Sequence, residues 1–243
     1  MEYQSDSFVF QPPPKVAFAR RVLIKPEASS GLPYPMSPSR ETLETIIAGI
    51  RRVSEADIIL MDTGRGQEPI HRVFRRLSYD FPRVLFLDVR DCVYVEVENP
   101  LAKPWALPTV WVPNVLLSCD YLISAAPLKV KDGVPSLSLT NLLGLLPPSK
   151  YPEALLPAGK TMEQLGLDNV IADLYFTLPF DLGVIDARKR LDLGPNEEER
   201  GIEEYGKVFC GEPFSVDMEV SEDTGLEAGY LRLIASSKAT FAA

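Results

Sequence analysis

The first 90 residues alternate short apolar runs with segments of helical periodicity, and this order restricts the fold more than any other feature. Apolar runs of strand length lie at 16–24, 57–61 and 84–89. Between them, residues 37–53 and 70–77 repeat apolar side chains at helical spacing. This order of strands and helices, with short connections, predicts a mostly parallel sheet with helices on both faces.

The rest of the chain departs from this alternation. Residues 92–97 alternate polar and apolar side chains and residues 109–117 have an extended pattern, so an antiparallel hairpin is expected there. The remaining pattern predicts further strands at 120–125, 182–185 and 208–210, a short helical turn at 141–146, and helices at 161–176 and 214–234.

A chain of 243 residues, 46% hydrophobic and 24% charged, can bury one substantial core. We expect a single α/β domain over residues 15–235, with tails at 1–14 and 236–243. The net charge of −9 opposes binding to nucleic acid and to anionic membranes. Because the uncharged runs are short and broken by prolines, and no signal-peptide pattern precedes them, a cytoplasmic location is expected.

Cysteine and histidine usage restricts the possible chemistry. Cys92, Cys119 and Cys210 are too far apart in sequence for a zinc ribbon or an iron–sulfur motif. We therefore expect no iron–sulfur cluster in this chain, and reduced, mostly buried thiols. His71 is the only histidine, so a Ser-His or Cys-His pair would have to use it. Its place in a predicted helix favours a surface or hydrogen-bonded role.

Ligands of an open α/β sheet bind beyond the carboxyl ends of the strands, where loops and helix N-termini converge. The residues that this rule selects are Lys25 and Pro26, Asp62–Gly66, Asp88, Pro127–Lys131 and Asp186. In the second of these segments, Gly64 and Gly66 could let backbone amides reach an oxyanion and Arg65 could add a bidentate contact. A plain tight turn is the alternative.

Two lysines strengthen the prediction of an anion. Lys129 and Lys131 point to the same side of an extended chain. Ammonium groups held close together repel unless water or an anion lies between them, which favours a carboxylate or phosphate ligand bound with Lys25. Two independently solvated lysines are the alternative. Asn141, in an apolar stretch, needs a partner if it is buried, and either contacts the ligand or orients its loop.

Three aspartates could supply hard oxygen ligands to a divalent cation such as Mg²⁺: Asp62, Asp186 and Asp217. Asp62 and Asp186 could also act as acid–base groups. Asp186 is the preferred candidate because it follows an apolar strand. No close carboxylate motif fixes the geometry of these residues, so turns, helix caps and salt bridges remain the alternative.

Short motifs recur in a characteristic order over residues 16–235. They are Val22-Leu-Ile-Lys-Pro26, Ser37-Pro38, Asp62-Thr-Gly64, Pro127-Leu-Lys129, Leu139-Thr-Asn-Leu-Leu-Gly144, Val184-Ile-Asp186, Gly194-Pro195 and Val216-Asp217. In this order they resemble the domain of unknown function family numbered 362. Some members of that family carry a ferredoxin-like iron–sulfur domain, so the resemblance implies a redox association. The cluster would then belong to a separate ferredoxin-like protein.

The sequence departs from the family pattern where chemistry is expected. Members commonly have asparagine where this chain has Glu27, and a lysine where it has Thr140. The histidine that commonly follows the Pro-Lys-Leu-Lys motif is missing after Lys131, and the glycine-rich stretch after Ile-Asp is replaced by residues 187–192. These changes imply either a divergent ligand or a site that has lost its chemistry.

Two functions are therefore favoured, and neither decides whether the protein is an enzyme. The first is binding of a small anionic metabolite, a phosphate or carboxylate, at the strand ends, with or without a divalent metal. The second is a non-catalytic interaction domain that docks an iron–sulfur redox partner through the apolar segment 134–148. For that segment the alternative is that its leucines enter the core. A third function, nucleotide or dinucleotide binding, rests on sheet topology alone because the sequence has no complete fingerprint.

Overall fold

The computed structural model describes residues 1–151, 162–194 and 198–241. The strands are β1 (Glu2–Gln4), β2 (Arg21–Pro26), β3 (Asp57–Asp62), β4 (Val84–Asp88), β5 (Tyr94–Glu98), β6 (Thr109–Pro113), β7 (Tyr121–Lys131), β8 (Val134–Ser136), β9 (Leu182–Leu193) and β10 (Glu199–Gly211). The helices are α1 (Arg40–Val53), α2 (Ile70–Arg76), α3 (Met162–Leu165), α4 (Leu167–Thr177), α5 (Pro213–Thr224) and α6 (Gly229–Phe241).

Among the described residues, one sheet holds eight strands in the order β1-β10-β9-β7-β2-β3-β4, with β8 paired to β7. The strands from β9 through β4 run parallel to their neighbours. β10 and β1 extend the sheet in antiparallel fashion, and β5 pairs with β6 in a separate antiparallel sheet. The predicted parallel sheet and antiparallel hairpin are confirmed.

The central strands are apolar throughout because helices cover both faces of the sheet. Val22 and Ile24 pack on the face covered by α1 and α2, whereas Leu23 packs on the face covered by α4 and α6. Helix α1 begins after Ser39, whose hydroxyl accepts a hydrogen bond from the Thr42 backbone N–H at 3.1 Å. The order of elements therefore places the loops after β2, β3 and β7 at one edge of the sheet.

Three strands, β7, β9 and β10, are longer than their apolar segments predicted. β7 runs to Lys131, so Pro127–Lys131 lie within the strand and the prediction that they follow its end is wrong. β9 continues through the charged residues 187–192 to Leu193, paired with β7 on one side and with β10 on the other. Asp186 consequently lies within β9, and the prediction that it ends a strand is wrong. Residues 199–204, a mostly charged segment, belong to β10. Backbone pairing sets the strand length here, and it requires no apolar side chains.

The segment expected to be an N-terminal tail packs onto the sheet. β1 pairs with β10, and Phe8 and Phe10 are buried in the core. Gly49 of α1 makes room for this packing, since a Cβ atom there would lie 2.6 Å from the Phe10 ring. At the other end of the chain, α6 reaches Phe241 and so includes most of the second expected tail.

The apolar segment 134–148 supplies core residues. Its buried leucines are Leu137, Leu139, Leu142, Leu145 and Leu146. Most of them lie in or beside a 3₁₀ turn over Thr140–Leu145, packed under the strand ends. This burial removes the exposed leucine patch that motivated docking of a redox partner here, and such a partner stays a prediction. No helix in the described part of the chain is long and apolar enough to cross a membrane.

Candidate anion-binding site

Lys25, Asp62 and Asn141 meet in a buried polar cluster at the ends of β2 and β3. Lys25 Nζ lies 2.8 Å from Asp62 Oδ1, 2.8 Å from Asn141 Oδ1 and 3.1 Å from the Pro26 carbonyl oxygen. An ammonium group has three protons, and these three acceptors account for all of them. In this arrangement all the hydrogen-bond donors of the Lys25 ammonium group are occupied by groups of the protein itself.

The partners of Lys25 are held equally firmly. Asp62 accepts the Ala28 N–H at 2.7 Å and the Thr63 N–H at 2.8 Å. Asn141 donates to the Lys25 carbonyl oxygen and to the Ser124 hydroxyl, both at 2.9 Å. The prediction that Asn141 orients its loop therefore agrees with these contacts. The cluster joins β2, β3, β7 and the 3₁₀ turn.

Asp186 is fully buried against the N-terminus of α1. Its Oδ2 accepts the Ser39 N–H at 3.0 Å, the Ser39 hydroxyl at 2.6 Å and the Thr42 hydroxyl at 2.7 Å. Arg188 Nη1 lies 3.1 Å from the other oxygen. A helix N-terminus favours an anion, and here the anion is a side chain of the protein. Burial, together with the nearby Asp186 carboxylate, raises the pKa of Tyr34 well above its ordinary value.

Asp217 lies apart from these groups, on α5. It accepts hydrogen bonds from the Ser138 hydroxyl at 2.6 Å, the Ser138 and Leu139 N–H groups at 3.0 Å, and the Tyr230 hydroxyl at 2.9 Å. Burial raises the pKa of this carboxyl to about 6, against the opposing effect of these hydrogen bonds. The contacts fasten the 134–148 segment to α5.

The three aspartates predicted as metal ligands thus lie in separate hydrogen-bonded settings. Within residues 1–151, 162–194 and 198–241, no group of three or more His, Cys, Asp or Glu side chains is placed to hold a metal ion. The metal role of Asp62, Asp186 and Asp217 stays a prediction, as does the catalytic role of the first two. Burial raises the pKa of the thiols to about 11 for Cys92 and Cys119 and about 12 for Cys210, which keeps them protonated.

The loop after β3 is a tight turn held by its neighbours. Gly66 has φ +60°, and a Cβ atom on Gly64 would lie 2.0 Å from the Glu68 carbonyl oxygen. The Arg65 N–H donates to the Ser29 carbonyl oxygen at 3.1 Å, and Arg90 Nη1 donates to the Gly66 carbonyl oxygen at 2.8 Å. These contacts agree with the alternative that Gly64 and Gly66 form a plain tight turn. Arg65, between them, borders a cavity.

That cavity, of about 300 Å³, lies beyond the strand ends. Its cationic residues are Arg65, Lys129 and Lys131, and its acidic residue is Glu27. The other lining residues are Ser29, Ser30, Met36, Ser136 and Leu193. We call this space the edge cavity. Lys129 and Lys131 are both in β7 and both border it, as their shared parity predicted.

Sequence reasoning missed the loop that forms one wall of the edge cavity. Glu27, Ser29 and Ser30 follow β2 directly, so the strand-end rule would have found them had it been applied beyond Pro26. Leu193 and Ser136 were missed because the extension of β9 and the pairing of β8 depend on backbone contacts across the sheet. Lys25 and Asp186 were selected by the same rule, and Asn141 by its place in an apolar stretch. The structure buries all three, and none of them borders the cavity.

The model of the family described as Domain of unknown function (DUF362) matches residues 22–222. The chain belongs to this family. The DUF362 region includes every residue that borders the edge cavity. A comparison with curated proteins gave no match.

The DUF362 chain also resembles solved structures in its fold. One of them is the lactate racemase apoprotein from Thermoanaerobacterium thermosaccharolyticum, with 12% sequence identity and a TM-score of 0.54. The similarity covers 90% of this chain and 52% of the racemase chain, so this chain spans about half of the racemase's length. At this identity the likeness shows a shared fold.

Proposed function

We propose that the protein binds a small anionic metabolite, a phosphate or a carboxylate, in the edge cavity. The observation that carries the proposal is the gathering of Arg65, Lys129 and Lys131 around one small cavity, against a single acid. The chain as a whole carries a charge of −9, so an anion needs such a local positive region in order to approach.

The size and lining of the cavity support a small ligand. A volume of about 300 Å³ is at the lower end of ligand pockets. The hydroxyl groups of Ser29, Ser30 and Ser136 can donate to oxyanion oxygens and orient them. The amino groups of Lys129 and Lys131 provide charge-assisted hydrogen bonds, which are stronger than neutral ones.

Titration calorimetry and thermal unfolding test the proposal. The ligands are inorganic phosphate, succinate and lactate, the last because the structural relative is a lactate racemase. Titration with Mg²⁺, alone and with each anion, tests the predicted divalent cation separately. A ligand that binds only the folded state raises the melting temperature, and its stabilisation grows as RT ln(1 + [L]/Kd). We expect saturable binding of at least one anion, weakened by added salt.

Variants connect that binding to the edge cavity. Lys131→Ala should weaken anion binding about tenfold, since a hydrogen bond to a charged group contributes roughly 1.5 kcal/mol or more. Lys103→Ala is the matched control, because Lys103 is an exposed lysine that borders a different cavity. Absence of binding by all three anions, or equal binding by the double variant of Lys129 and Lys131, would refute the proposal.

A further inference from the structure

Glu27 forms an ion pair with Lys129 inside the edge cavity. Lys129 Nζ donates to Glu27 Oε1, and the two side chains are 12% and 18% exposed. Lys129 Nζ also lies 3.4 Å from the Met36 carbonyl oxygen. The more buried of the two lysines that border the edge cavity therefore already has a carboxylate partner, supplied by the loop after β2.

The second oxygen of Glu27 is unusual among the acids at this edge. Glu27 Oε2 is buried and has no hydrogen-bond partner among the residues that the structure describes. Asp62 and Asp186, in contrast, accept backbone N–H groups in addition to their cations. A buried carboxylate oxygen without a donor costs free energy. Lys129 is thus the main contact that holds the Glu27 side chain in place. Of the three carboxylates, Glu27 is the one that a ligand anion can most easily replace.

We propose that Glu27 is an internal counter-ion that competes with ligand anions for Lys129 and so sets the affinity and charge preference of the site. The inference rests on the proposed function. The Glu27 carboxylate stands where an oxyanion of the ligand would meet the Lys129 ammonium group. A bound anion must either share that ammonium group with Glu27 or displace the Glu27 carboxylate from it.

This arrangement predicts how affinity depends on ligand charge. Repulsion between Glu27 and a ligand grows with the ligand's negative charge, because the Coulomb energy is proportional to the product of the charges. Removing the charge of Glu27 should therefore favour dianions, such as succinate, more than monoanions, such as lactate. A change that acted only through folding would not sort ligands by charge.

The test compares Glu27→Gln with Glu55→Gln by titration calorimetry, using inorganic phosphate, succinate and lactate. Glutamine keeps the length of the side chain and a carbonyl acceptor for Lys129 while it removes the charge. Glu55 is the matched control because it also pairs with a basic residue, Arg83, but precedes β3 at the opposite edge of the sheet. Thermal unfolding without ligand checks that each variant is folded, and Glu27→Ala provides a second variant.

We expect Glu27→Gln to bind succinate at least tenfold more tightly than the wild type, with a smaller gain for lactate and no comparable gain in Glu55→Gln. Unchanged or weaker binding in both Glu27 variants would overturn the inference and leave the proposed function standing. An equal gain in Glu55→Gln would also overturn it, because the effect would then be long-range. Binding by Glu27→Gln alone would support the inference and refute the function for the wild type. If neither the wild type nor any variant binds an anion, both the inference and the proposed function fail.

Discussion

Lys25 Nζ lies 2.8 Å from Asp62 Oδ1, with the two side chains 2% and 0% exposed, and this pair joins the carboxyl ends of the neighbouring strands β2 and β3. Asn141 adds the 3₁₀ turn to the same cluster through Lys25 Nζ and the Lys25 carbonyl oxygen. The cluster joins the ends of β2 and β3, and the loops that follow these strands border the edge cavity through Glu27 and Arg65. A buried pair of this kind stabilises one arrangement of loops only while both charges are present.

The first prediction concerns removal of one charge from this pair. Lys25→Met leaves Asp62 buried without a cation, so the free energy of unfolding should fall by about 3–5 kcal/mol. Asp62→Asn should be costly for the same reason. Because the double variant leaves no unpaired charge, it should lose less than the sum of the two single variants. Urea unfolding of the four proteins measures this coupling, and strict additivity would show that the two residues act independently.

The second prediction concerns the space above the pair. A Cβ atom on Gly144 would lie 2.9 Å from Lys25 Nζ and 3.0 Å from Lys25 Cε. Gly144→Ala should therefore displace the lysine and lower the free energy of unfolding by about 1–3 kcal/mol. Gly201→Ala is the control, since a Cβ atom there meets nothing within 4 Å. Equal stability of the two variants in urea unfolding would contradict this account.

The order of strands and helices was predictable because burial on both faces of the sheet leaves a continuous apolar run in β2 and β3. The predicted location of a site at their carboxyl ends follows from the same topology, and the edge cavity lies there. The role of each polar residue was less predictable. Lys25 and Lys129 both follow apolar runs, and only the three-dimensional contacts show that the first is enclosed whereas the second borders a cavity.

Asp186 shows the limit of sequence reasoning in another way. The apolar residues 182–185 end at this carboxylate, which made it look like the last residue of a strand. Pairing with β7 and β10 continues the strand through a charged sequence, and α1 then covers Asp186. Contacts between residues more than 140 positions apart, such as Asp186 with Ser39, leave no local pattern in a single sequence.

The third prediction is a pH dependence that arises from Asp217. Burial raises the pKa of its carboxyl to about 6 in the folded state, from an ordinary value of 3.8. Between these pH values the folded protein keeps a proton that the unfolded chain has lost, so the free energy of unfolding falls as the pH rises. The contribution of the Asp217 carboxyl to stability is therefore fully present below about pH 4. It is lost as the pH rises through 6, by about 3 kcal/mol in all.

Asp217→Asn isolates this effect, because asparagine does not titrate in that range. The free energy of unfolding of the wild type, minus that of Asp217→Asn, should decrease from pH 4 to pH 7. Loss of acceptors for the Ser138 N–H and hydroxyl groups should destabilise the variant at every pH, which shifts the difference without changing its slope. A difference that does not vary with pH would show that Asp217 titrates normally.

The fourth prediction concerns the N-terminal segment, which packs onto the sheet although its sequence suggested a tail. Phe10 is 1% exposed and lies against Gly49 of α1. Truncating it in Phe10→Ala should leave a cavity and lower the free energy of unfolding by about 3–5 kcal/mol. Phe18→Ala is the matched control, because that ring is 87% exposed and its loss should change stability by about 0.5 kcal/mol or less. If urea unfolding gives equal values for the two variants, the packing of residues 1–14 contributes little to stability.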